Sequence, residues 1–250
     1  MKIIISPAKK MNKDTDSLKV RGIPYFIAKT EELYSVLESM GYDELKKLWK
    51  CNDSIAKLNH ERLKAMDLKE GLTPAILAYE GIQYQYMSPG VFTEKEYEYA
   101  EQHLRILSGF YGVLKPFDGV TPYRLEMQAK LKVDGAKDLY GYWGRDIADR
   151  LFAETDCIIN LASKEYSVCV SRYLTKGKRF ITCVFGEEKD GKIIEKGTKC
   201  KMARGEMVHF LAHNNITDPE RIKDFCGLNY SFSEKYSDED IYTFIEKRGV

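Results

Sequence analysis

The apolar residues of this chain fall into two patterns. Lys2-Ile-Ile-Ile-Ser6 opens the sequence with consecutive β-branched residues, and Pro7 follows directly. Such a run suits a strand covered on both faces, which the proline then stops. Ile158-Ile-Asn-Leu161 and Phe180-Ile-Thr-Cys-Val-Phe185 have the same character, and Ile193-Ile194 after Lys189-Asp-Gly-Lys192 predicts a hairpin through its Asp-Gly turn. Residues 28–153 read as a mainly helical insertion between the first two of these strands, with stretches near 30–40, 43–66, 72–79, 94–107 and 138–153. The clearest helix starts at a capping box, Thr93 with Glu96, and keeps Tyr97, Ala100, Leu104 and Leu107 on one stripe before Gly109. Another is expected from Thr217-Asp-Pro-Glu220, where Asp218 caps and Pro219 takes the first position. The first strand is expected beside Ile158–Leu161. The fold class is therefore α+β: a single compact domain with a mixed β-sheet surrounded by helices.

Composition narrows this picture. The chain has 250 residues, 44% of them hydrophobic, and no Ser/Gly/Pro-rich linker or repeat divides it. Lys and Arg total 39 against 38 Asp and Glu, a net charge of +1, so no whole-molecule field drives it onto nucleic acid or an anionic membrane. Binding of either kind has to come from local clustering. Apolar runs such as Ile3–Ile5 fall far short of the roughly 18 residues that span a bilayer, and no apolar leader is present, so a cytoplasmic protein without a membrane partner is expected. The six cysteines, at 51, 157, 169, 183, 200 and 226, form no CxxC pair and read as reduced, mostly buried thiols.

Several segments carry candidate chemistry. Met1–Lys13 holds Lys2, Lys9, Lys10 and Lys13, and Lys196–Arg204 holds Lys196, Lys199, Lys201 and Arg204, neither with an acid inside it. Between them, His103–Met127 combines Gly109 and Gly112 with Arg105, Lys115 and Arg124. Its two glycines suit either a tight turn that offers N–H groups to an anion or a plain helix C-cap. At the end of the second strand, Asn160, Ser163 and Glu165 sit where mixed sheets often place ligand groups, and with Ser6 they are candidates for a small-molecule pocket. His209 and His213 share a helical face at i, i+4, but the glutamate of an HExxH site is missing. They read as exposed histidines near a helix end, and no metal or cofactor is assigned.

The chain also resembles a known family. Ile5-Ser-Pro-Ala-Lys9, Leu104-Arg-Ile-Leu-Ser-Gly-Phe-Tyr-Gly-Val-Leu-Lys-Pro116, Pro122-Tyr-Arg-Leu-Glu-Met127, Tyr140–Gly144, Ile159-Asn-Leu-Ala-Ser163 with Glu165-Tyr166, and Ala203-Arg-Gly205 resemble the bacterial peroxide stress proteins of the YaaA type. Leu228-Asn-Tyr-Ser-Phe232, Phe244 and Lys247-Arg248 fit as well. The resemblance implies a peroxide-stress protein that restrains free iron or protects DNA, with no established catalytic reaction. It further implies a positive cleft and a helix-hairpin-helix that bind double-stranded or branched DNA without base readout. By position the cleft cations would be Lys9, Arg105, Lys115, Arg124, Lys201 and Arg204. The family often places lysine where Met202 stands, so one charge is missing here. Two segments compete for the helical hairpin, Tyr42–Met66 and the Gly109–Gly112 turn. Three functional expectations follow: DNA binding; an enzyme acting on a phosphate-bearing or nucleotide substrate at Ser6, Lys9, Asn160, Ser163, Glu165 and Arg204; and, third, iron binding through His209, His213 and a cysteine or carboxylate.

Overall fold

The computed structural model describes residues 1–247; Arg248 lies outside them. The chain begins with β1 (Lys2–Ile5), β2 (Lys10–Met11), α1 (Ile27–Glu38), α2 (Tyr42–Trp49), α3 (Asp53–Lys64), β3 (Thr73–Pro74), α4 (Ala75–Ala78), β4 (Tyr79–Glu80), α5 (Ile82–Met87) and α6 (Glu94–His103). It continues through β5 (Leu104–Ser108), β6 (Gly112–Leu114), β7 (Gly119–Val120), α7 (Leu139–Trp143), α8 (Asp146–Glu154), β8 (Cys157–Leu161) and α9 (Lys164–Ser171). Last come β9 (Arg179–Lys189), β10 (Lys192–Ile194), α10 (Gly197–His213), β11 (Tyr230–Phe232) and β12 (Ile241–Glu246).

Ile3, Ile4 and Ile5 have no exposed surface, as the unbroken β-branched run requires. β1 is a central strand of the mixed eight-stranded sheet, which runs β11-β12-β9-β8-β1-β5-β6 with β10 paired to β9. Its neighbours β5 and β8 are parallel to it, placing Ile4 opposite Arg105 and Asn160. β9 continues the parallel set beyond β8, and β12 beyond β9. The β5–β6, β11–β12 and β9–β10 pairs are antiparallel. The Asp-Gly turn between β9 and β10 forms as expected, with φ of 52 at Asp190 and 74 at Gly191. The result is one α+β domain with helices around a mixed sheet. No helix among the described residues is long and apolar enough to cross a membrane.

Three expectations change. The capping box of α6 is present, with Glu96 Oε2 accepting from the Thr93 amide at 2.6 Å, but the helix stops at His103. Leu104–Ser108 is instead a strand buried at every position. Its apolar run satisfies either period, and pairing with β1 selects the strand. The insertion therefore supplies two strands of the main sheet as well as helices. Gly109 lies in the buried turn of the β5–β6 hairpin, where Ser108 Oγ accepts from the Phe110 and Tyr111 amides at 3.1 and 2.9 Å. Those N–H groups are used internally, so the turn is neither an anion loop nor a helix cap. Pro219–Asp224 is a 3-10 segment, capped by Asp218 accepting from the Glu220 amide at 3.0 Å. Ile222 and Phe225 are both buried, and their i, i+3 spacing fits a three-residue turn.

α10 lies directly on α5 because Gly205 has no side chain: a Cβ there would sit 2.1 Å from the Gln83 carbonyl oxygen. The clash is with backbone, so one element has to move. Gly205→Ala is expected to lower stability by about 1–3 kcal/mol with the m-value unchanged, read by urea unfolding. An unaltered midpoint would contradict this contact.

Candidate functional site at the carboxyl ends of β1 and β8

From β1 the chain goes to β5 on one side and later returns to β8 on the other. Such a reversal leaves a crevice at the carboxyl ends of the two diverging strands. A cleft of about 420 Å³ opens there. Ser6, just after β1, and Ser163, just after β8, form its base. Ser6 Oγ accepts from the Ser163 amide at 2.8 Å and donates to Ser163 Oγ at 3.2 Å. Ser163 is the N-cap residue of α9 but makes no side-chain cap bond. Below this pair Tyr84 donates to the Ser6 carbonyl at 3.0 Å, while the Tyr79, Tyr123 and Ser108 hydroxyls form a chain at 2.9 and 2.7 Å.

The walls carry five cations, Lys9, Lys10, Arg124, Lys201 and Arg204, and three carboxylates, Glu80, Glu126 and Glu165. Lys10 pairs with Glu80 at 2.5 Å, while Glu126 takes both Lys9 at 2.9 Å and Arg124 at 3.4 Å. Arg204 reaches Glu195 at 3.8 Å. The two arginines are the most enclosed of these cations, with side chains 9% exposed at Arg124 and 16% at Arg204. Both have a buried Nε without a hydrogen-bond partner. Glu165 accepts from the Gln128 amide at 3.3 Å. Burial pushes its carboxyl up; Glu126 adds to this, and the Gln128 amide and Lys9 oppose it.

Of the six expected cleft cations, Lys9, Arg124, Lys201 and Arg204 line this cleft; Arg105 and Lys115 line a different one with Arg21, Asp118, Arg150 and Glu154. Arg105 is buried and held by Glu154 at 2.6 Å. Glu154 closes α8 beside Lys2, the first residue of β1, so this second cleft lies toward the opposite end of the strands. One four-residue strand, roughly 13 Å, separates them. The six do not share one trough. The basic runs also divide: Lys196 and Lys199 pair with Glu187, at 2.6 and 3.1 Å, and Lys199 also with Glu246 at 2.6 Å. Ser6, Ser163 and Glu165 do line the cleft. Asn160 is not on its wall: its amide donates to Thr182 Oγ1 at 3.3 Å and accepts from the Ala162 amide at 2.9 Å, holding the end of β8. Sequence reasoning missed the wall from β4 and α5, where Glu80 on one side of Gly81 and Gln83 and Tyr84 on the other show no readable period.

The remaining candidates fall elsewhere. Of the two hairpin candidates, only Tyr42–Met66 is helical, with α2 and α3 joined by Lys50–Asn52. Lys50 and Trp49 line a small hollow together with Arg124 and Glu126. The six cysteines are free, and Cys169, Cys183 and Cys200 are buried while Cys226 is exposed. Burial raises the Cys169 and Cys183 thiols to about 12 and Cys200 to about 11, which disfavours their thiolate forms. His209 is not a free surface group: its Nδ1 lies 3.0 Å from the Met87 carbonyl and its ring packs on Phe92.

Residues 1–236 match the family model described as peroxide stress protein YaaA. The chain is 56% identical over 246 residues to a UPF0246 protein of Desulfitobacterium hafniense, covering 98% of each. It is 53% identical over 246 residues to a UPF0246 protein of Lachnoclostridium phytofermentans, covering 98% of this chain and 96% of the relative. With a UPF0246 protein of Pediococcus pentosaceus it shares 50% over 246 residues, 98% of each.

In the second cleft, burial pushes the Asp118 carboxyl to about 6, against the opposing Lys115 amide and ammonium. The folded state thus holds this proton more tightly than the unfolded chain does. The corresponding stability is complete below about pH 4 and is lost as pH rises through about 6. Asp118→Asn is expected to escape that loss, gaining on the order of 1–3 kcal/mol over the parent between about pH 4.5 and 7.5 in urea unfolding. Parallel pH profiles would contradict the assignment.

Proposed function

The chain belongs to the peroxide stress protein YaaA family, and from that premise we propose that it works by holding a phosphate-bearing ligand of nucleotide size in the cleft after β1 and β8. The carrying observation is the pair of enclosed guanidinium groups on the cleft wall, Arg124 and Arg204, with side chains 9% and 16% exposed. Phosphate oxygens can meet their outer nitrogens in bidentate contacts that solvent screens little. The cleft volume lies within the usual range for small-molecule sites. The N-terminus of α9 opens beside Ser163 and adds partial positive charge. Glu165, its carboxyl raised by burial, stands ready to donate or accept a proton beside the ligand.

A second reading, DNA binding that limits iron-dependent oxidative damage, rests on a separate observation. Lys9, Lys10 and Lys201 are exposed at the same cleft, and Lys50 in the α2–α3 turn lines a small hollow that shares Arg124 with it. In this reading phosphates of a duplex or branch, rather than a free nucleotide, meet the arginines. About four neutralised phosphates give a log–log salt slope near −3.5.

Calorimetric titration with inorganic phosphate and with ADP tests the first reading. Arg124→Lys, which keeps charge but loses the fork, is expected to weaken binding roughly tenfold, with Lys115→Gln in the second cleft neutral. Glu165→Gln is expected to tighten binding several-fold at about pH 8, where the parent carboxylate repels the anion, and the gain is expected to shrink as pH falls and the carboxyl, raised by burial, takes up its proton. Absence of binding by either ligand, alongside duplex binding with the stated slope that Lys9→Gln and Lys201→Gln weaken, would replace the first reading with the second.

A further inference from the structure

We propose that Glu96, His209 and His213 form a binding site for a divalent first-row transition metal ion, separate from the phosphate cleft. The two histidines lie one turn apart on α10, and Glu96 faces them from the first turn of α6. One potential ligand atom from each residue lies within 4.8 Å of the other two. Four-coordinate zinc, with bonds of roughly 2.0–2.2 Å, brings its donors to about 3.4 Å from one another, so small side-chain rotations close the site. Two imidazoles and one carboxylate, with the remaining positions open to water, suit zinc, iron or cobalt better than calcium or magnesium.

The surroundings orient each donor. His209 Nδ1 lies 3.0 Å from the Met87 carbonyl, which can only accept, so Nδ1 carries the proton and Nε2 keeps its lone pair. A carbonyl behind the non-ligating nitrogen is the usual support of a metal-binding histidine. The Phe92 ring against His209, 5.5 Å between centroids, restricts its rotation. Glu96 is buried, and its Oε2 is occupied by the Thr93 amide at 2.6 Å and hydroxyl at 2.8 Å. Its Oε1 faces His213 Nδ1 at 3.0 Å. Oε1 is thus left to the histidines, and a carboxylate oxygen beside two imidazoles is a donor set that suits a cation. A bound cation takes the place between Oε1 and the His213 ring, whose Nδ1 proton moves to Nε2 so that the ligand remains a neutral imidazole. His213, with its side chain 69% exposed, gives the ion a path in.

The full chain, purified through chelator and dialysed, is titrated calorimetrically with zinc chloride, and cobalt(II) is added separately to record its visible spectrum. The expected result is one zinc per chain and a cobalt spectrum without thiolate charge transfer. His213→Ala, at an exposed position that leaves the fold intact, is expected to weaken zinc binding at least roughly tenfold, while Cys226→Ser has no effect. A His209→Ala, His213→Ala double variant that still folds by circular dichroism is expected to lose binding. Near-zero stoichiometry, unchanged affinity in the double variant, or a thiolate band abolished by Cys226→Ser would each overturn the proposal. Phosphate titration of the same variants should match the parent, so failure here is separable from failure of the cleft reading.

Discussion

Three consecutive isoleucines that all exclude water can be satisfied only by a strand with neighbours on both edges and cover on both faces, and this constraint organises the molecule. Burying each side chain contributes roughly 1.5–3 kcal/mol, enough to fix β1 between β5 and β8. Parallel neighbours put the exits of β1 and β8 at the same end of the sheet. Pro7 ends the first strand there, and the ladder is replaced by a side-chain link between Ser6 and Ser163. The crevice that follows is a consequence of strand order. Its arginines come from elements packed on that frame: Arg204 from α10, seated on α5 through Gly205, and Arg124 from the segment after β7.

Charge in this protein is balanced locally. With 39 basic against 38 acidic side chains, the acids that fold against particular cations decide which cations remain for a ligand. Glu154 consumes Arg105 and draws Arg150 and Lys2 to the amino end of the strands. Glu187 and Glu246 hold Lys196 and Lys199 away from the cleft. Glu126 is shared by Lys9 and Arg124, leaving a guanidinium incompletely bonded inside the wall. Enclosure limits solvent screening there, so these arginines interact more strongly with an anion than the more exposed lysines do.

The sheet was largely legible in the sequence because its buried strands are unbroken β-branched runs and its hairpin has an Asp-Gly turn. Leu104–Ser108 was not, because its apolar spacing satisfies a helix as well as a strand and only the pairing partner distinguishes them. Ser6, Ser163 and Glu165 were legible from their place at strand ends, and four of the six cations that line the cleft came from the family resemblance. Arg105 and Lys115, carried into the same cleft by the resemblance, instead line a second one with Asp118 and Glu154. Asn160 sits at the correct strand end, but both ends of its amide serve the sheet. The histidine pair was visible as i, i+4 spacing, whereas Glu96, distant in sequence and already assigned to a capping box, gave no sign that it also faces them.

We propose the carboxyl ends of β1 and β8 as the anion-binding end of this sheet. An amide-resolved NMR titration of the whole chain with inorganic phosphate tests it most directly, because it reports location without altering a residue. The account predicts saturable shifts concentrated at Ser6–Lys10, Arg124–Glu126 and Ser163–Glu165. Shifts centred on Arg21, Arg105 and Lys115, or spread evenly over exposed lysines, would contradict it.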